Sequence, residues 1–205
     1  MIEQSTDMRV VRSRTLMENA LFSILEQEGI KGLKVKNLCE KAGINRGTFY
    51  LHYKDIFHLI EETSFIQGLL EVFEPIHMKE LIDYPDPQGA FPPITKAFEY
   101  MQQHASFFKA LFHPDAPAEI QERLRYLTGT RLYDNLIQHQ PEMDHESRLF
   151  TEYAIAYLGN AQFGLIHHWF MSDRAMPPED IARMLTVYIR NTPCLDNTVP
   201  HKITP

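Results

Sequence analysis

Apolar residues recur along this chain at intervals of three and four, the spacing of one helix face, and no stretch alternates convincingly as a half-buried strand would. Met17, Ala20, Leu21, Ile24 and Leu25 make the first such stripe, which Gly29 and Gly32 end. Val35, Leu38, Cys39 and Ala42 make a second, shorter one. Gly43 closes it, because glycine takes a left-handed C-terminal position without a Cβ penalty. Ile44 then anchors a tight turn inward, and Asn45 is placed to cap the next helix, Arg46 to His52. On that helix Phe49, with Tyr53 four residues on, faces the core. Arg46, Thr48, Tyr50 and His52 lie on or near the exposed side. A helix, a glycine-containing turn and a short helix bearing polar and aromatic groups form the pattern of a helix-turn-helix. Before it, residues 1–8 read as a loose tail; after it, Asp55 caps a fourth helix over about 56–73, ending before Pro75.

The rest of the chain is also helical in pattern. Residues 83–93, with four prolines and a glycine, are a loop. Ile94, Ala97, Phe98 and Met101 mark an amphipathic helix, and a short segment from Ser106 carries Phe107, Phe108, Leu111 and Phe112 up to Pro114 and Pro117. A helix over about 118–138, kinked near Gly129, is broken at Gln140-Pro141. Asp144 caps a long helix from His145 to Met171, and Pro177-Pro178 open a last one from Glu179 to Arg190. The predicted fold is all-α: an N-terminal three-helix helix-turn-helix domain, then a larger helical bundle. The domains expected are 1–54, 55–190 and a disordered tail over 191–205.

Charge sharpens this picture. The chain carries a formal net charge of −7, yet from Lys31 to Lys54 six cations face one carboxylate, Glu40. Residues 1–60 hold nine basic and seven acidic side chains, and residues 61–205 hold 11 and 20. A basic patch on an acidic chain marks where a polyanion docks, since binding releases the counterions condensed on it. Arg9, Arg12 and Arg14 near the first helix either meet phosphate or keep a flexible tail soluble. No apolar run approaches the roughly 18 residues of a membrane span, and the N-terminus lacks the apolar core of a secretory signal. Cys39 and Cys194 show no CxxC spacing, so a reducing, cytoplasmic setting is expected and no membrane partner.

The segment over roughly residues 10–62 resembles the DNA-binding unit of TetR-type (TetR/AcrR) transcriptional regulators. The matching pattern is Gly29, then Leu38-Cys39-Glu40-Lys41-Ala42-Gly43-Ile44-Asn45-Arg46-Gly47-Thr48-Phe49-Tyr50, then Leu51-His52-Tyr53-Lys54-Asp55 and Leu59. Lys34 stands where the family often has a threonine that caps and touches phosphate. Ile56 stands where a lysine is frequent. The resemblance implies a DNA-binding regulator, most often a repressor, that a small effector releases from a palindromic operator. Lys36, Thr48, Tyr50, His52 and Lys54 are then expected at phosphates, with the Asn45-capped helix start adding a favourable dipole. Arg46 and Thr48 are expected to read base edges, and Gly47 to permit close approach to the groove. Effector binding is expected to change the angle of the fourth helix.

The helix from His145 to Met171 is apolar almost all round, which calls for burial on every side. It either pairs two copies or forms the centre of a monomeric bundle. The homodimer reading uses Tyr153, Ala156, Gly159, Phe163 and Gly164 with Ile181, Leu185 and Tyr188 of the last helix. Phe98, Met101, His104, Phe108, Phe112, Tyr126, Tyr157 and His167 either line a pocket for a small apolar or aromatic effector or fill an aromatic core. The ten histidines show no HExxH and no i, i+4 pairing, so neither a metal nor any other cofactor is expected. The chain has no GxSxG, P-loop or GxGxxG and suggests no Ser/His/Asp set, so no enzyme is expected. A second reading keeps the fold but loses DNA binding: a protein-interaction coactivator.

Overall fold

The computed structural model describes residues 2–74, 78–126, 145–173 and 175–191. The kink near Gly129, the break at Gln140-Pro141, the Asp144 cap and the tail from residue 192 lie outside the described residues. Among those described there is no strand, and the helices are α1 (Ile2–Gln27), α2 (Val35–Ala42), α3 (Arg46–His52), α4 (Ile56–Glu61), α5 (Ser64–Phe73), α6 (Met78–Ile82), α7 (Pro92–Gln103), α8 (Ala105–Leu111), α9 (118–126), α10 (His145–Met171) and α11 (Pro178–Arg190). No helix among the described residues is long and apolar enough to cross a membrane.

The contacts divide the chain into two compact units, 1–68 with 104–121, and 69–103 with 122–205. In the first, Met17, Leu21 and Ile24 of α1, Leu38 of α2 and Phe49 of α3 are fully buried together with Leu59 and Ile60 of α4. Each such side chain is worth about 1.5–3 kcal/mol of burial. Rings add a second cluster: Phe22 of α1 lies 4.5 Å from Phe65 of α5 and 5.6 Å from Phe107 of α8. This cluster brings residues 104–121 into the unit that holds the helix-turn-helix, past the boundary expected at residue 54.

Two expectations are corrected here. The helix begins at Ile2, so residues 2–8 continue α1 and are not a loose tail. The helix expected over 56–73 is two helices, because Thr63 interrupts it. The Thr63 hydroxyl is buried, donates to the Ile60 carbonyl at 2.7 Å and accepts from the Ile66 amide at 3.3 Å. It thereby ends α4 and starts α5, the competition with backbone pairing that makes threonine a cap former. Glu18 of α1 fixes the joint from outside: its carboxylate accepts from the Ser64 amide at 2.7 Å and the Ser64 hydroxyl at 2.6 Å.

In the second unit α7 packs on α11 and against α10. Phe98 meets Trp169 edge-on at 5.2 Å, and the Trp169 indole donates to the Met176 carbonyl at 2.8 Å. Thr186, fully buried on α11, accepts from the Phe91 amide at 3.0 Å and donates to the Ala182 carbonyl at 2.7 Å. α10 is not covered on all sides. Ala154, Ile155, Leu158, Ile166, Trp169 and Phe170 are buried, while Leu149, Tyr153, Ala156, Tyr157, Ala161 and Gly164 form an exposed stripe on the other side.

Candidate nucleic-acid interface

The turn between α2 and α3 is held as its residues demand. Gly43 sits at φ +67°, where a Cβ would be strained, and ends α2. The Ile44 amide donates back to the Cys39 carbonyl at 3.0 Å. Asn45 is extended, and its side-chain oxygen accepts from the Thr48 amide at 2.7 Å and from the Thr48 hydroxyl at 3.1 Å. That cap fixes the start of α3. Lys34 opens α2 with no side-chain capping bond, as a lysine must. Burial raises the Cys39 thiol above its ordinary pKa, so it is an inert core group rather than a reactive one.

α3 is seated by Phe49, which is fully buried, and by Tyr53 just past its end. Burial also raises the Tyr53 phenol, and the Arg14 guanidinium stands 5.9 Å from its ring centre while reaching Glu62 at 3.7 Å. Arg14 is thus a bracket between α1 and the end of α3, while exposed like Arg9 and Arg12.

On α3, Arg46 and Gly47 are exposed and Thr48 and His52 are half-buried. Tyr50 is 59% exposed, packed edge-on against Phe49 at 5.2 Å. Lys54 is exposed and its amide donates to His58 Nδ1 at 3.2 Å. Lys36 on α2 is exposed and loosely paired with Glu40 at 4.0 Å. All eight sequence-predicted contact residues therefore fall on α2, α3 and the turns that flank α3. Of the other cations in the patch, Lys31 is held by Asp115 at 2.8 Å and Lys41 by Gln27 at 2.5 Å. Lys34, Arg46 and Lys54 form no ion pair among the described residues, so their charge is available to phosphates.

Sequence reasoning passed over Leu51, which is 84% exposed at the outward apex of α3. A helical wheel carries the signal, since Leu51 stands about 160° from both Phe49 and Tyr53 at 100° per residue.

The expected effector residues are divided between the two units. His104, Phe108 and Phe112 belong to the first unit, and His104 stacks on Phe65 at 4.4 Å. Phe98, Met101, Tyr126, Tyr157 and His167 belong to the second. Phe98 and Met101 are core, His167 is half-buried, and Tyr126 and Tyr157 are 74% and 66% exposed. The second unit has an open cleft of about 730 Å³ lined by Tyr84, Asp86, Lys96, Glu99, Glu179 and Arg183 among others, none of them an expected effector residue. Of the expected dimer residues, Tyr153, Ala156, Gly164 and Tyr188 are exposed and Leu185 is half-buried. Gly159, Phe163 and Ile181 are buried, Phe163 beneath the Arg125 guanidinium at 4.5 Å.

Comparisons with known proteins agree with the architecture. Residues 19–63 match the family described as bacterial regulatory proteins, tetR family, and residues 89–191 match a transcriptional regulator C-terminal region of the same family. The uncharacterised HTH-type transcriptional regulator YxbF of Bacillus subtilis (strain 168) is 24% identical over 180 residues, covering 82% of this chain and 42% of that protein. The chain thus spans less than half the length of that relative. Among solved structures, the dihydroxyacetone kinase operon activator DhaS has the same fold at 15% identity, with a TM-score of 0.50 over 86% of this chain and 93% of that one. With matches over both its helix-turn-helix and its C-terminal half, this chain belongs to the TetR family of transcriptional regulators.

Proposed function

We propose that this regulator is a homodimeric repressor that α3 holds on a palindromic operator and that a small effector releases. The observation that carries the reading is the exposed outward side of α3, free of carboxylates and flanked by Lys36, Arg46 and Lys54. Arg46 and Thr48 are assigned to base edges, and Lys36, Tyr50, His52 and Lys54 to phosphates. The exposed stripe of α10 supports pairing of two copies, since a monomer gains nothing from leaving Tyr153 and Tyr157 72% and 66% exposed. The aromatic and methionine content of α7 and α10 supports an apolar or aromatic effector.

Selection of bound sequences from random duplexes tests this. A palindrome is the expected outcome, with log affinity falling by about 0.9 per phosphate contact for each tenfold rise in salt. Lys36→Gln and Lys54→Gln each flatten that slope by about one contact per head. Lys34 opening α2 without a cap favours a second reading, a coactivator that has lost DNA binding. Failure to select any duplex at low ionic strength, with capture of a protein partner, establishes that reading instead.

A further inference from the structure

On α3 the side chain aimed most directly away from the core belongs to neither an arginine nor a threonine but to Leu51. It is the most exposed large apolar side chain among the described residues, at 84%. Phe49 and Tyr53 fix the inward direction of the helix, and Leu51 stands about 160° from each. Gly47 lies one turn earlier and only about 40° round, so the surface ahead of Leu51 is stripped to backbone. A Cβ at Gly47 would meet little beyond the Asn45 side-chain oxygen, at 3.1 Å, so packing within the chain does not require a glycine there. Arg46, in the first turn, stands about 140° from Leu51 and is not on the outward apex.

We propose that Leu51 reads sequence by packing on a thymine methyl group in the floor of the major groove. The inference rests on the DNA-reading function proposed above and names a specificity-determining residue for it. Leucine has no hydrogen-bonding group, so it cannot hold a phosphate. Among the four unmodified bases the major-groove edge offers one apolar group, the C5 methyl of thymine. A protein partner fits the same apex poorly, because α3 carries no carboxylate and has the cations Arg46 and Lys54 at its two ends. Gly47 lets the backbone approach closely enough for a side chain no longer than leucine to reach the base.

The experiment takes the duplex selected by the full chain and replaces each thymine in turn by uracil, which lacks the methyl. Affinity is measured for wild type, Leu51→Ala and Leu51→Gln. One thymine per half-site is expected to matter: its replacement weakens wild type by about fourfold, the worth of one buried methyl group. Both variants are expected to bind the thymine and uracil duplexes alike. Because Leu51 is exposed, both keep the wild-type helical signal and thermal midpoint. The inference is overturned if the selected site holds no such thymine, or if the variants stay as uracil-sensitive as wild type. A change in sedimentation of Leu51→Ala without DNA also overturns it, because the leucine then serves a protein contact. Failure of wild type to select any duplex sinks the regulator reading itself, whereas uniform indifference to uracil on a selected site sinks only the role of Leu51.

Discussion

Substituting Asn45 separates the stability of α3 from its attraction for DNA, because two replacements move the two properties in different directions. The Asn45 oxygen takes both the amide and the hydroxyl of Thr48, and α3 is seven residues long, so it has few other bonds to hold its first turn. Asn45→Ala removes the cap and costs about 1 kcal/mol, which lowers the thermal midpoint by about 2–4 °C in a chain of this size. Asn45→Asp keeps the acceptor and places a negative charge at the positive end of the helix, so stability holds or rises. The same charge repels the backbone of a bound duplex. At the dielectric constant of water each phosphate about 7 Å away costs about 0.6 kcal/mol. Two of them weaken binding about sevenfold without screening, and salt reduces that penalty. Stability, read by thermal unfolding, should therefore rank Asp and Asn above Ala. Affinity, read by fluorescence anisotropy at low and high salt, should rank Asp last. The reasoning fails if Asn45→Ala unfolds with wild type, or if Asn45→Asp binds a selected duplex as tightly as wild type at low salt.

Two further outcomes follow from named contacts. Thr186→Val keeps the shape of the side chain but leaves the Phe91 amide without a partner in a buried place, a loss of about 1–3 kcal/mol; Thr186→Ser keeps the bond and is milder, and urea unfolding that finds Val the more stable of the two refutes the account. The Lys31 hydrogen bond holds the Asp115 carboxyl below its ordinary range, so this pair stabilises above the unfolded carboxylate pKa and its contribution disappears as pH falls through the depressed folded value. Asp115→Asn should accordingly lower the thermal midpoint slightly at neutral pH and match wild type at about pH 2, below the carboxylate range.

Much of the first unit was legible because its signals are local. Gly43, Asn45 and Asp55 announce their turns and caps through backbone chemistry that needs no tertiary partner, and α2 and α3 begin and end where those residues put them. The joint between α4 and α5 was not legible, since a threonine in an apolar stretch interrupts a helix only when its surroundings bury the hydroxyl and a distant Glu18 takes the next amide. Residues 104–121 joining the first unit is likewise a matter of ring packing among Phe22, Phe65 and Phe107, which no spacing along the chain encodes. Leu51 shows the opposite failure: its exposure was computable from helix geometry, but attention to hydrogen-bonding side chains passes over a leucine.

The corner at Thr63 also decides how rigid this stretch can be. One uninterrupted helix over the same residues would be a stiff rod roughly 27 Å long. The six residues of α4 and the ten of α5 fall short of the roughly 12–15 that an isolated helix needs, so each keeps its shape only while its own neighbours hold it. The joint between them is closed by the Thr63 hydroxyl and by the Glu18 carboxylate on Ser64, so how far one piece follows the other depends on those few bonds rather than on a continuous helical backbone.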